Sequence, residues 1–180
     1  MNRNSRAFIK TPKPHPHLHE DGEHPRVPKF IEWDSETRCL TMEYLDNGNL
    51  GEDIQQHSQK ITAELRRHHW ARQAAEGLDV LHSAGVVHCN ISPRNFLLEK
   101  ISDFGGASLS GPEPSAMAGT RFRDPDYNWD APPVFGDDIF SLGSLIYFIM
   151  TGSYPYEDRV VVRQGFVLET NKHKHERFNV

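Results

Sequence analysis

Two short apolar runs, Lys29-Phe-Ile-Glu-Trp33 and Arg38-Cys-Leu-Thr-Met42, flank the polar Asp34-Ser-Glu-Thr37, a pattern that predicts a β-hairpin. Upstream, Ala7-Phe-Ile-Lys10 reads as a strand end, and the rest of the first 28 residues, rich in Pro and His, reads as loop. Asp46-Asn-Gly48 is a turn signal, and Asn49 is placed to cap a helix beginning at Leu50. Between Ala63 and Ala84 the apolar residues Trp70, Ala74, Leu78 and Leu81 fall on one face of a long helix that Gly85 would end. From Asp138 to Thr151 large apolar residues lie on nearly every face, which predicts a helix enclosed by protein, closed by Gly152 and Pro155. After Asp158 the pattern weakens. Val160–Val162 and Phe166–Leu168 fit strands or a helix piece equally, and Asn171–Val180 reads as a charged tail.

Composition narrows the function classes. At 180 residues and 37% hydrophobic content, one globular domain is expected. A net charge of -5 gives no basic footprint for nucleic acid. The most apolar stretch, Ile139–Met150, is interrupted by Ser141, Gly143 and Ser144 and falls short of the ~20 residues that span a bilayer, so no membrane partner is expected. Two cysteines, Cys39 and Cys89, make no disulfide framework, and the amino terminus has no signal-peptide core, which together point to a cytoplasmic or nuclear setting. The histidines of His15-Pro-His17-Leu-His19 and His173-Lys-His175, without nearby Cys or ordered carboxylates, read as solvated loop rather than a metal site.

The chemistry sits in His88-Cys-Asn90-Ile-Ser-Pro-Arg94-Asn95-Phe-Leu97-Leu, followed by Ser102-Asp103-Phe104-Gly105. This order resembles the protein kinase catalytic loop H-R-D-L-x-x-x-x-N and its D-F-G. Three further segments agree. Leu40-Thr-Met42-Glu43-Tyr-Leu45 is similar to the kinase hinge, Leu78-Asp-Val-Leu81-His82-Ser-Ala-Gly85 to the helix feeding the catalytic loop, and Asp138-Ile-Phe-Ser-Leu-Gly143 to the buried helix of the large lobe, whose first Asp braces that loop. The string Ser92-Pro-Arg-Asn-Phe-Leu-Leu98 also resembles fungal kinase-like proteins. The resemblance implies an α+β, protein-kinase-like fold: a truncated β-rich N-lobe with hinge over residues 1–45, a mostly helical C-lobe over 46–157, and an unassigned tail over 158–180.

It also implies a site. ATP with Mg2+ needs hard oxygen ligands held relative to the nucleophile, and Asn95 and Asp103 stand at the two metal-ligand positions. Adenine would lie over Leu97 beside Glu43 and Leu45, with Met42 gating the pocket, and Lys10 stands where a strand lysine holds the α- and β-phosphates. Departures from the pattern then bear on activity. Asn90 replaces the aspartate that accepts the substrate proton; an amide orients a hydroxyl but has no comparable basicity, and general-base catalysis contributes about 10²- to 10⁴-fold. Cys89 replaces an arginine that pairs with phosphorylated activation loops, while Arg94 is a candidate to supply positive charge toward the transferring phosphate, beside the plain reading of a solvated arginine. No G-x-G-x-x-G precedes Lys10, and Glu20 and Glu23 are weak candidates for its pairing glutamate. The link from Asn95 to Asp103 is shorter than the family's, which puts their relative placement in question. Gly119-Thr120 and Asp124-Pro125-Asp126 resemble the end of an activation segment with Asp for Ala and Glu, which puts its docking in question too.

The expectation is a pseudokinase or severely attenuated protein kinase that acts on, or is regulated by, a protein partner. An active kinase transferring the γ-phosphate to Ser/Thr or Tyr is the alternative, and a non-functional truncated gene product is the third reading.

Overall fold

The computed structural model describes residues 9–10, 24–37, 39–46, 48–57, 63–109, 117–157, 161–163 and 166–168. The histidine clusters, Glu20 and Glu23 lie outside the described residues. The small lobe is an antiparallel sheet in the order β1 (Ile9–Lys10), β3 (Cys39–Met42), β2 (Phe30–Asp34). The predicted hairpin is β2–β3, in register Trp33 to Leu40 and Asp34 to Cys39, with a bulge at Ile31. Its turn is built by Asp34, whose carboxylate accepts from the Glu36 and Thr37 N–H groups and from the Thr37 hydroxyl at 2.6 Å.

Among the described residues the large lobe holds three helices: α1 (Leu50–His57), α2 (Ala63–Ser83) and α3 (Phe135–Thr151). Asn49 caps α1, its side-chain oxygen accepting from the Glu52 N–H at 3.0 Å. The predicted face of α2 delivers Ala74, Leu78 and Leu81 to the core, where they meet Leu145, Phe148 and Ile149 of α3 and Phe96 and Ile101 from the loop between the helices. Gly85 follows α2 at φ +77 and Gly152 follows α3 at φ +76, a region that a side chain disfavours.

Residues 24–28 are not free loop. Their backbone crosses α2 at Gly77, where an added Cβ would stand 3.2 Å from Ile101 Cγ2 and 3.5 Å from Arg26 Cβ. The Arg26 carbonyl accepts from the Ile101 N–H at 2.9 Å, and its Nε donates to Glu76 at 2.7 Å. This crossing moors the small sheet to the large lobe. It also holds the Glu76 carboxyl below its usual range, chiefly through the Arg26 hydrogen bond.

Two sequence expectations change and one open reading is resolved. The helix α3 is not enclosed all round: Ile139 is 55% and Tyr147 49% exposed, with Phe135 on the same stripe. Apolar residues on every face report what the helix can bury; the His82 ring lies 4.4 Å from that of Phe135, but Ile139 and Tyr147 stay about half exposed. The end of the activation-like segment does dock on the large lobe despite its Asp substitutions. Phe122 is buried and meets the Tyr154 ring edge-on at 6.2 Å, and Arg121 Nη1 donates to the Pro155 carbonyl at 2.9 Å. Beyond Asp158, Val161–Arg163 and Phe166–Leu168 form an antiparallel strand pair, the first of the two readings left open there.

Candidate functional site

The loop between α2 and the 3-10 turn Phe104–Gly106 is organised by one carboxylate. Asp138, in the first turn of α3 and 1% exposed, accepts from the His88 N–H at 2.6 Å, the Cys89 N–H at 2.9 Å and His82 Nε2 at 3.1 Å. Three donors compensate the burial of a charge that would otherwise cost several kcal/mol, on the order of the penalty for one ion. They also hold Cys89 at φ 66, a conformation a β-carbon resists. The expectation that this aspartate braces the loop agrees with the geometry.

His88 is fully buried. Its Nδ1 accepts from the Asn90 N–H at 3.2 Å, and the Nε2–H therefore donates to the Ser102 carbonyl at 2.9 Å. Burial lowers its pKa, opposed by the Ser102 hydrogen bond and by the Asp138 charge, so the ring is neutral and acts as a strut. Burial and the Asp138 charge push the Cys89 thiol up to about 12, which leaves it protonated and unreactive.

Asn95 sits at the far end of the loop. Its side-chain Nδ2 donates to the Asn90 carbonyl at 2.8 Å, which turns Oδ1 outward as an acceptor. The short link that follows is a hairpin: β4 (Phe96–Leu97) pairs with β5 (Lys100–Ile101), in register Phe96 to Ile101, around a two-residue turn in which Glu99 has φ 92. Beyond it the Ser102 N–H and hydroxyl both donate to the Asn95 carbonyl, at 2.8 and 3.1 Å. The tight two-residue turn keeps Asn95 opposite Ser102, the residue before Asp103. Asp103 is exposed at φ 64, ψ 63, a left-handed backbone that costs on the order of 1 kcal/mol.

Among the described residues neither Asn95 Oδ1 nor the Asp103 carboxylate takes a hydrogen bond, and no group of three or more His, Cys, Asp or Glu could hold a metal. Two hard oxygens suit Mg2+, which takes one or two protein ligands and completes its octahedron with water and phosphate oxygens. The donor set therefore fits Mg2+ bound together with a nucleotide and does not fit a metal held by protein alone.

On the other wall, Met42 is half-buried at the end of β3 and Leu97 half-buried on β4, which Asn49 joins through a single antiparallel bridge. Glu43 is tied in three ways: its N–H donates to the Lys29 carbonyl, its carboxylate accepts from the Lys29 N–H, both at 2.9 Å, and Lys100 closes an ion pair on the same oxygen. Burial pushes the Glu43 carboxyl up, but Lys100 and the Lys29 N–H outweigh it and hold it below its usual range. Two residues on, the backbone of Leu45 takes no hydrogen bond among the described residues. Lys10 stands on β1 opposite Cys39. Arg94 is exposed, and among the described residues its side chain makes no hydrogen bond or ion pair.

Sequence reasoning missed three participants: Ser102, the Glu43–Lys100 ion pair, and the Arg26 mooring. For Ser102 a signal existed, since two residues between Phe96-Leu97 and Lys100-Ile101 force a tight hairpin that sets Asn95 against Ser102.

Comparison with known proteins follows the same residues. A model described as the protein kinase domain matches residues 16–177. The chain is 31% identical over 151 residues to CBL-interacting protein kinase 32 of Oryza sativa subsp. japonica, covering 75% of this chain and 34% of that one. It is 26% identical over 157 residues to 3-phosphoinositide-dependent protein kinase 1 of Arabidopsis thaliana, covering 76% and 32%, and 30% identical over 142 residues to the dual specificity protein kinase pyk3 of Dictyostelium discoideum, covering 74% and 10%. The chain thus spans about a third of the length of the rice and Arabidopsis relatives. A match across most of the chain, joined to a buried α3 aspartate bracing the His88 loop and to Asn95 tied against the residue before Asp103, identifies this chain as a member of the protein kinase domain family.

Proposed function

We propose that this domain binds ATP with Mg2+ between its two lobes and transfers phosphate to a protein hydroxyl only at a severely attenuated rate, working chiefly as a pseudokinase. The observation that carries the reading is the pair of unengaged oxygens, Asn95 Oδ1 and the Asp103 carboxylate, on strands joined by a single turn. Adenine stacks over Leu97 beside Met42 and the Leu45 backbone, and Lys10 is the residue assigned to the phosphates. Bound Mg2+ would neutralise phosphate charge. Asn90 orients an incoming hydroxyl without removing its proton, a loss of about 2.7 to 5.4 kcal/mol in barrier for a full general base. Arg94 is free to approach a phosphate group. The relatives are named as protein kinases, which supports a protein hydroxyl as the acceptor and a protein as the regulatory partner.

The test is a thermal shift with and without Mg2+ and ATP. A ligand at 100 times its dissociation constant adds about 2.7 kcal/mol of stability. The reading expects a shift that needs both components; no shift at millimolar nucleotide would sink it.

A further inference from the structure

We infer that the Ser102 hydroxyl is a positioning group that sets Asn95 against Asp103, so that it governs how strongly Mg2+ raises affinity for ATP. The inference rests on the nucleotide-binding reading above and adds a residue to it.

The argument begins with the strand pair. In an antiparallel hydrogen-bonded pair each residue gives its N–H to the other's carbonyl. Asn95 and Ser102 occupy such a pair, one step beyond Phe96 and Ile101. Only half of the exchange is made: the Ser102 N–H donates to the Asn95 carbonyl at 2.8 Å, but the Asn95 N–H is diverted to the Ser92 carbonyl at 3.1 Å. The Ser102 carbonyl is diverted as well, accepting instead from His88 Nε2 at 2.9 Å. Left there, the hairpin would be held at its open end by one bond. The Ser102 hydroxyl restores a second by donating to the Asn95 carbonyl at 3.1 Å. Ser102 is buried, so water does not stand in for it.

What this bond controls follows from its neighbours. On one strand, Asn95 presents Oδ1 because its Nδ2 is fixed on Asn90. On the other, Asp103 follows Ser102 directly and turns its carboxylate out through a left-handed backbone. The two oxygens are therefore related directly through the two Ser102 bonds to the Asn95 carbonyl, of which the hydroxyl makes one, and by a longer path through Asn90, His88 and the Ser102 carbonyl. A ligand that bridges both feels the loss of the hydroxyl; one that touches the adenine wall alone does not.

Isothermal titration with ATP, once with Mg2+ and once with EDTA, separates these cases. For the wild-type chain the ratio of the two dissociation constants measures the gain due to Mg2+. Ser102→Ala is expected to cut that gain about threefold to tenfold, the equivalent of one hydrogen bond, with the EDTA value unchanged. Ser102→Thr, which keeps the hydroxyl, is expected to restore it. Ser102→Cys fills the same space with a weaker donor and gives the same readout should the alanine variant fold poorly. An equal loss with Mg2+ and with EDTA would make the hydroxyl merely structural, and an unchanged ratio would make it idle; either overturns the inference. A wild-type chain with no Mg2+-dependent gain overturns the nucleotide-binding reading itself, which is a separable outcome.

Discussion

The Asn95 side chain is tied to Asn90 through the Asn90 backbone carbonyl, at 2.8 Å, so the identity of the Asn90 side chain does not enter the bond. Asn90→Asp therefore changes the chemistry of the base position while leaving this link intact. Stability should move by no more than ~0.5 kcal/mol, as for a substitution away from the core. Phosphotransfer from radiolabelled ATP to a protein substrate should rise about 10²- to 10⁴-fold if the base is the limiting defect. A variant that binds Mg2+ and ATP as the wild type does, yet transfers no faster, would place the limit elsewhere in the site.

Removing the brace should be far more damaging than altering the base. Asp138→Ala leaves the His88 and Cys89 N–H groups and His82 Nε2 without their acceptor in a buried site. The expected cost is about 3–5 kcal/mol, the range for breaking a buried charged network. Asp138→Asn keeps one side-chain acceptor and should fall between. Urea denaturation measures both, and a loss under ~1 kcal/mol for the alanine variant would show that the loop is held by other contacts.

Acid should loosen the domain well before its carboxylates titrate. Burial lowers the pKa of His88 in the folded state, so the unfolded chain takes up this proton first. Stability is then complete above about pH 6.5 and falls as the pH drops below it, by up to ~1.4 kcal/mol per unit for one group. The Glu43 and Glu76 carboxyls, held below their usual value of 4.5, act in the same direction but only below about that pH. Denaturation midpoints at pH 7.5, 6 and 5 should decline, and His88→Gln should flatten the upper part of the decline. A wild-type midpoint constant from pH 7.5 to 5 would contradict a buried neutral histidine.

How much of this was legible in the sequence depends on the range of each interaction. Helix α2, its apolar face and the β2–β3 hairpin are written in local periodicity, and Asn49 and Gly85 mark element ends through their own backbone chemistry. The family was readable in the stretch from His88 to Gly105 because motif order survives where single residues change. The Glu43–Lys100 pair joins positions 57 apart, and no local pattern announces it. The Arg26 crossing was hidden for another reason: Pro and His signal a break in regular structure without saying whether the broken segment packs. The docking of the segment was not legible in Asp124 and Asp126, because the burial is supplied by Phe122, an aromatic residue two positions earlier.

Helix α3 puts the distinction between apolar and buried to a direct test. Leu145 and Ile139 belong to the same helix and have similar volume, but Leu145 is 1% exposed in the core and Ile139 is 55% exposed. Leu145→Ala removes contacts with the α2 face and leaves a cavity, with an expected cost of about 2–5 kcal/mol. Ile139→Ser removes side-chain surface that is already largely in water and should change stability by less than ~0.5 kcal/mol. Sequence periodicity alone assigns both residues to a buried helix and predicts similar losses. Equal destabilisation of the two variants by urea denaturation would mean that the Ile139 face is covered in solution; a large difference would establish that α3 carries an apolar stripe, Phe135 through Tyr147, open to solvent.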